Sequence, residues 1–182
     1  LFLAQIGISA QRMNVLLKDL LDYTILEQKI EESDLEEIDS SMVLKSIINN
    51  LQAEIAESKA SISIDSLPLL KTSKYGFRLI FEQLLSNTLK FRSKTHPCAI
   101  QISCTSNADF DEFAVKDNGI GIAEAHLEEV FRPFRRLKKE KDKGTGIGLA
   151  ICKKAVDTLG GKIHVFSELE KGSTFCFSIP KR

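Results

Sequence analysis

The sequence predicts an α/β (α+β) domain, a two-layer sandwich with helices on one face of a mixed sheet, preceded by a long bundle helix. Three observations predict it. The first thirty residues carry a wide apolar stripe at helical spacing with Gly7 as their only glycine. From Ser40 onward, helix-period and alternating segments interleave in an order that implies a mixed sheet with helices on one face. The chain has 182 residues, 43% of them hydrophobic, enough for one medium domain with a core and an appendage.

Taken in order, Leu3, Ala10, Leu17 and Thr24 recur every seven residues, as do Ile6, Met13 and Leu20, while Phe2, Leu16, Tyr23 and Ile30 widen the stripe. Such a stripe suits a helical bundle and needs partner helices. The acidic stretch Glu31 to Asp39 reads as a polar connector. Leu44, Ile47, Ile48, Leu51 and Ile55 have the 3-4-3-4 spacing of a helix packed on one face. Ile62 and Ile64 alternate with polar neighbours, a short strand ended by Pro68. A further helix covers about Ser73 to Phe91, with Phe77, Ile80, Phe81, Leu84 and Thr88 along one side. Two strands follow, Ala99 to Thr105 and Phe110 to Lys116, around an Asn-Ala-Asp turn. A short helix near Glu124 to Phe131 leads into a basic loop, Arg135 to Lys143. Another helix opens after the glycine run at Gly144 and stops at Gly160-Gly161. A closing hairpin pairs Lys162 to Glu168 with Thr174 to Ile179.

Composition excludes several classes. The 25 Lys and Arg balance 25 Asp and Glu, without the cationic excess expected of a dedicated nucleic-acid binder. No apolar run has the length of a membrane span, so no membrane contact is expected. The four cysteines show no CxxC spacing, and a reducing, cytoplasmic setting is the better reading. The chain starts at Leu1 with no basic n-region or cleavage site and is expected to be a piece of a longer protein.

Three segments carry chemistry. In Gly144-Thr145-Gly146-Ile147-Gly148, close glycines allow backbone N–H groups to approach oxygens, and the following helix presents its positive end to a phosphate. Alone, such a cluster is more often a flexible loop before a helix. A lysine-rich loop precedes it, not the strand a dinucleotide fingerprint requires, and no GxxxxGK[ST] pattern occurs. DNGIGI, Asp117 to Ile122, ends a strand with an acceptor-only carboxylate that could hold an exocyclic amine such as that of adenine. Gly119 and Gly121 would let the base lie close to the backbone. Alone it is ordinary turn chemistry. Gln83, Asn87, Lys90 and Phe91 share one helix face. An amide oxygen there could ligate Mg²⁺, the lysine reach a phosphate and the ring contact a base; alone, this is a solvated helix edge.

Together and in order, FEQLLSNTLKF, DNGIGI, FRPFRRL and GTGIGLAICKK resemble the N box, first glycine box, F box and second glycine box of sensor histidine kinases. The resemblance covers roughly Ser40 to Pro180 and continues through GGKIHVFSELEKGSTFCFSIP. QRMNVLLKDLLDYTILE resembles the second helix of that family's dimerisation and phosphotransfer domain. The RRL and GTGIGLAICKK wording is most similar to phytochrome-related kinases.

The resemblance implies a Bergerat-type ATP-binding fold. Residues 1–30 would be part of the dimerisation domain, 31–39 a linker and 40–182 the catalytic domain. It implies Asn87 as Mg²⁺ ligand, Lys90 and Arg136 neutralising phosphate charge, and Asp117 binding the adenine amine. Phe91, Gly119, Gly121 and Ile122 would stand near the base. Gly144, Thr145, Gly146 and Gly148 would line the triphosphate with Leu149 nearby, and Ile147 would belong to the same nucleotide-binding run. Phe131 and Phe134 would anchor a lid formed by the basic loop. ATP, a second copy of the chain and a response-regulator receiver domain are the implied partners.

There are departures. His96, His126 and His164 are the only histidines, none in a His-Glu-Leu-Arg-Thr-Pro context, and surface roles are expected for them. Gln83 replaces the first asparagine of the usual N box and Thr88 the usual alanine. Gln83 also stands where hydrolytic relatives carry a glutamate, and a neutral amide is a poor base. The expected activity is therefore phosphoryl transfer to a histidine on a helix this sequence lacks. A chaperone- or topoisomerase-type ATPase and a non-catalytic interaction module are the alternatives.

Overall fold

The computed structural model describes residues 2–30, 35–136 and 145–182. Helix α1 runs Phe2–Lys29, unbroken because nothing in it interrupts the backbone ladder. It packs against α5 and α4, described below. Leu26 and Ile30 are buried, while Met13, Leu16, Leu17, Leu20 and Leu21 stay exposed. The side chains of Phe2, Leu3 and Ile6 lie outside the described set.

The acidic stretch expected to be only a connector contributes a strand, β1 (Leu35–Asp39), which pairs antiparallel with β3 (Leu69–Ser73). Its sequence LEEID carries one buried apolar residue, Ile38, too little to show an alternating pattern. Neither strand is evident from periodicity because each is stabilised by the other across a distant pairing. Asp39 then caps α2 (Ser40–Asn50), accepting from the N–H of Ser41 at 2.9 Å and of Met42 at 3.2 Å. The single helix expected through Ile55 is two, since Leu51 (φ −97°, ψ 11°) separates α2 from α3 (Gln52–Ser58). The apolar stripe runs on across this break, which is why periodicity does not reveal it.

The main sheet has the order β2-β4-β5-β7-β6. Its strands are β2 (Ser61–Ile64), β4 (Ala99–Ser106), β5 (Phe110–Asp117), β6 (Ile163–Glu168) and β7 (Gly172–Pro180). Strand β2 pairs parallel with β4 and the other neighbours are antiparallel, so the sheet is mixed as expected. Helix α4 (Lys74–Lys90), capped by Ser73, and α5 (Gly148–Thr158) pack against one another over the sheet. The seam is aromatic. Phe77 and Phe81 of α4 meet Phe113 of β5 and Phe177 of β7, and the latter two rings stack at 5.3 Å. Burying such a ring stabilises by roughly 1.5–3 kcal/mol, so this cluster fixes α4 against the strand that ends at Asp117. The expected short helix is one 3₁₀ turn, Glu124–His126, followed by turns.

Candidate functional site

Fixing Phe77, Phe81 and Leu84 in the core leaves Gln83, Ser86, Asn87 and Lys90 on the adjoining face of α4, all half-buried. These four line a cleft of about 480 Å³ together with Phe91, the residue that ends α4.

Across the cleft β5 delivers Asp117, 9% exposed. Its Oδ1 accepts from the N–H of Gly119 at 2.7 Å and of Ser173 at 3.2 Å, and Oδ2 takes part in neither bond. Burial pushes the carboxyl pKa up, while the two N–H donors pull it back. Beyond Asp117 the backbone turns past β6 so closely that a Cβ on Gly121 (φ +67°) would stand 1.9 Å from the Glu168 carbonyl oxygen. The Ile122 N–H donates to Ser167 Oγ and the Glu170 N–H to the Ile120 carbonyl, both at 2.8 Å. The β6–β7 hairpin is thereby clamped to the glycine turn, and it brings Leu169, Ser173 and Phe175 into the cleft wall. Sequence reasoning missed these three. Ser173 lies 56 positions from Asp117, and only strand pairing brings them together.

The second glycine run forms the opposite end. Gly144 and the basic loop 137–143 lie outside the described residues. Thr145, Gly146, Gly148 and Leu149 line the cleft. A Cβ on Gly148 would stand 2.6 Å from Gln83 Oε1, so glycine lets α5 begin directly against the α4 amides. Helix α5 starts without a side-chain cap, which leaves the N–H donors of its first turn available to an anion.

Ile122 and Arg136 also line the cleft. Two expected residues do not. Ile147 is 2% exposed and belongs to the hydrophobic core, because its side chain roots the loop while its neighbours face outward. Gly119 stands behind the wall, where a Cβ would lie 2.7 Å from the Phe91 carbonyl oxygen. Of the two expected lid anchors, Phe131 packs edge-on to Phe175 at 6.5 Å. Phe134 does not pack; it is 63% exposed, in a left-handed turn at φ +63°. Arg135 is held by Glu129 at 2.5 Å, and this contact lowers the Glu129 pKa. His126, expected to be a surface residue, lines the cleft, whereas His164 rests on Phe166 on the exposed sheet face. His96 stays in an exposed loop. From α1, Val15 and Asp19 reach the cleft, which no local pattern announced.

The cleft is two-ended. Ile122, Val130 and Phe175 give the cleft apolar walls beside a buried carboxylate, suited to a flat base bearing an amine. Lys90, Arg136 and the uncapped start of α5 suit an anion at the other end. A more open groove of about 730 Å³ runs along the α1–α5 seam past Tyr23, Phe131 and Lys154, but contains no glycine-rich backbone.

A family profile described as histidine kinase-, DNA gyrase B-, and HSP90-like ATPase matches residues 72–182. Cyanobacterial phytochrome A of Nostoc sp. is 37% identical over 169 residues, covering 92% of this chain and 22% of the phytochrome. Sensor protein SrrB of Staphylococcus aureus is 41% identical over 105 residues, covering 55% of this chain and 18% of SrrB. The crystal structure of full-length ShkA in complex with AMPPNP superposes with a TM-score of 0.81 at 23% identity, covering 99% of this chain and 38% of ShkA. The chain thus spans about a fifth of the length of the curated relatives it matches. A profile match over more than half its length establishes that the chain belongs to the histidine kinase-, DNA gyrase B-, and HSP90-like ATPase family, and the two relatives and the shared ATP-binding fold agree with it.

Proposed function

We propose that this chain binds Mg-ATP in the cleft and, in the whole protein, transfers the γ-phosphoryl group to a histidine on a helix outside this sequence. The observation that carries the reading is the placement of one buried carboxylate, Asp117, beside the apolar walls of a cleft whose far end holds two amides and an uncapped helix start. Asp117 accepts from the adenine amine through the oxygen that its two backbone bonds leave over. Thr145, Gly146 and Gly148 border the triphosphate, with Lys90 and Arg136 offsetting its charge. Gly144 and most of the expected lid, Arg135 to Lys143, lie outside the described residues.

Asn87 lines the cleft, and an amide oxygen there would suit a hard cation; Gln83, whose Oε1 faces Gly148, is equally neutral. When bound, Mg²⁺ draws charge from the phosphate oxygens. Asn87 is the ligand this chain would supply. A neutral imidazole nitrogen then attacks the γ-phosphorus, the bond to the bridging oxygen breaks, and ADP leaves. Imidazole is nucleophilic when neutral, so no strong base is required, and Gln83 is not one. Positioning and charge neutralisation carry the catalysis.

We place residues 1–30 as the second helix of the dimerisation and phosphotransfer domain and 40–182 as the catalytic domain. The exposed apolar face of α1, with Leu17 60% exposed, supports pairing with a second copy. A receiver domain is the proposed phosphoryl acceptor from the histidine. The proposed location is the cytoplasm, where ATP is at hand and thiols stay reduced. No helix among the described residues is long and apolar enough to cross a membrane. The test incubates the chain with γ-labelled ATP and Mg²⁺, alone and with the histidine-bearing helix. Acid-labile label is expected only on the added helix. Stoichiometric acid-labile label on the chain alone would make His96, His126 or His164 an acceptor and overturn the reading.

A further inference from the structure

We propose that Asp19 of α1 is an anionic gate on the cleft, so that docking of α1 and binding of a nucleoside triphosphate oppose one another. The inference rests on the nucleotide reading of the cleft.

Asp19, Tyr23, Leu26 and Ile30 follow at i, i+4, i+7 and i+11, hence on one face of α1. The lower part of this face is anchored. Leu26 is fully buried, and Ile30 fills the space above Gly76, where a Cβ would stand 2.7 Å from Ile30 Cδ1. Lys154 of α5 lies 4.6 Å from the centroid of the Tyr23 ring and 3.5 Å from Glu27 Oε1.

Further up, this face presents a carboxylate. Brought against protein, a carboxylate loses water and needs a donor in exchange. The donor is the Thr145 hydroxyl, which bonds Asp19 Oδ2 at 2.5 Å. Thr145 borders the proposed triphosphate end, and its Oγ1 also accepts from the Ile147 N–H at 3.3 Å. Val15, one turn above Asp19, covers the same cleft.

A carboxylate offers what a phosphate oxygen offers, negative charge and acceptors without donors. The Thr145 hydroxyl has one proton to give, so Asp19 and a phosphate compete for it. Their charges also repel within the cleft. With α1 docked, the adenine end keeps its carboxylate and apolar walls, while the phosphate end already holds an anion. Apparent affinity for ATP is then reduced by the fraction of molecules in which α1 is docked. Conversely, ATP drives Asp19 off Thr145 and frees α1, the helix proposed to carry the dimer contact, to move relative to the catalytic domain.

Calorimetry of the 182-residue chain, Asp19→Ala and Lys154→Ala, each titrated with ATP and with adenosine, tests this. Asp19→Ala removes the competing anion, and Lys154→Ala weakens docking from a position outside the cleft. ATP binding should tighten about threefold to tenfold in Asp19→Ala, and in the same direction in Lys154→Ala. Adenosine, which has no phosphate, should change by less than about twofold in Asp19→Ala. Equal ATP affinity in the parent and Asp19→Ala overturns the gate and leaves the nucleotide reading standing. Equal tightening for adenosine also overturns it, by showing only a steric effect of the helix. Failure of all three proteins to bind ATP overturns the nucleotide reading and the gate with it.

Discussion

Asp117→Asn separates the fold from nucleotide recognition. Oδ1 of Asp117 accepts two backbone N–H groups, from Gly119 at 2.7 Å and Ser173 at 3.2 Å. An amide keeps both bonds only if its oxygen occupies that place, so its NH₂ must occupy the Oδ2 place. There it faces the adenine amine, donor against donor. The lost charge-assisted bond is worth roughly 1.5–3 kcal/mol and the unmatched donor a further 1–3 kcal/mol. ATP affinity should therefore fall by about two to four powers of ten. GTP, with an acceptor oxygen at the corresponding ring position, should lose much less. Stability follows a different rule. Burial raises the Asp117 pKa above its unfolded value, so the folded state binds its proton more tightly. The resulting stabilisation is fully present below the unfolded value of about 3.9 and is lost as pH rises through the folded value. The melting temperature of the parent relative to Asp117→Asn should thus be highest in acid and decline toward neutrality. Calorimetry with both nucleotides and thermal melts from about pH 3.5 to about pH 7.5 read both effects. Equal ATP affinity in parent and variant, or an equal loss for ATP and GTP, would refute the assignment of Asp117 to the base.

Asn87→Ala should abolish the Mg²⁺-dependent tightening of ATP binding while changing metal-free binding little; retained Mg²⁺ dependence in calorimetry would place the ion elsewhere. Gly121→Ala should destabilise by roughly 2–5 kcal/mol, from the left-handed backbone and a Cβ driven against the Glu168 carbonyl. That corresponds to a fall of about 5–15 °C in melting temperature, and an unchanged melt would contradict the hairpin clamp. Burial pushes the half-buried Cys104 thiol up to about 11, while Cys152 is fully enclosed and raised further. A thiol-exchange reagent at about pH 8 should therefore modify Cys104 slowly and Cys152 only on unfolding; rapid modification of Cys152 would show that α5 is open.

Elements whose stabilisation is local or strongly periodic were legible in the chain alone. Helix α4 is marked by Phe77, Phe81, Leu84 and Thr88 along one face between Ser73 and Phe91, and α5 by the glycine run that opens it and the Gly160-Gly161 pair that closes it. The family was legible because four short motifs keep their order, although each alone is ordinary loop or helix chemistry. Packing decided the rest. β1 and β3 contain too few apolar residues to announce themselves and exist by pairing with each other. Ile147 and Leu149 could not be sorted by spacing, for within one short run Leu149 faces the cleft while Ile147 roots the core. Ser173, Leu169 and Asp19 reach the site from strands and helices distant in the chain, and contact between distant segments leaves no periodic trace. Local pattern records which face of an element is apolar; what that face meets depends on how the elements pack.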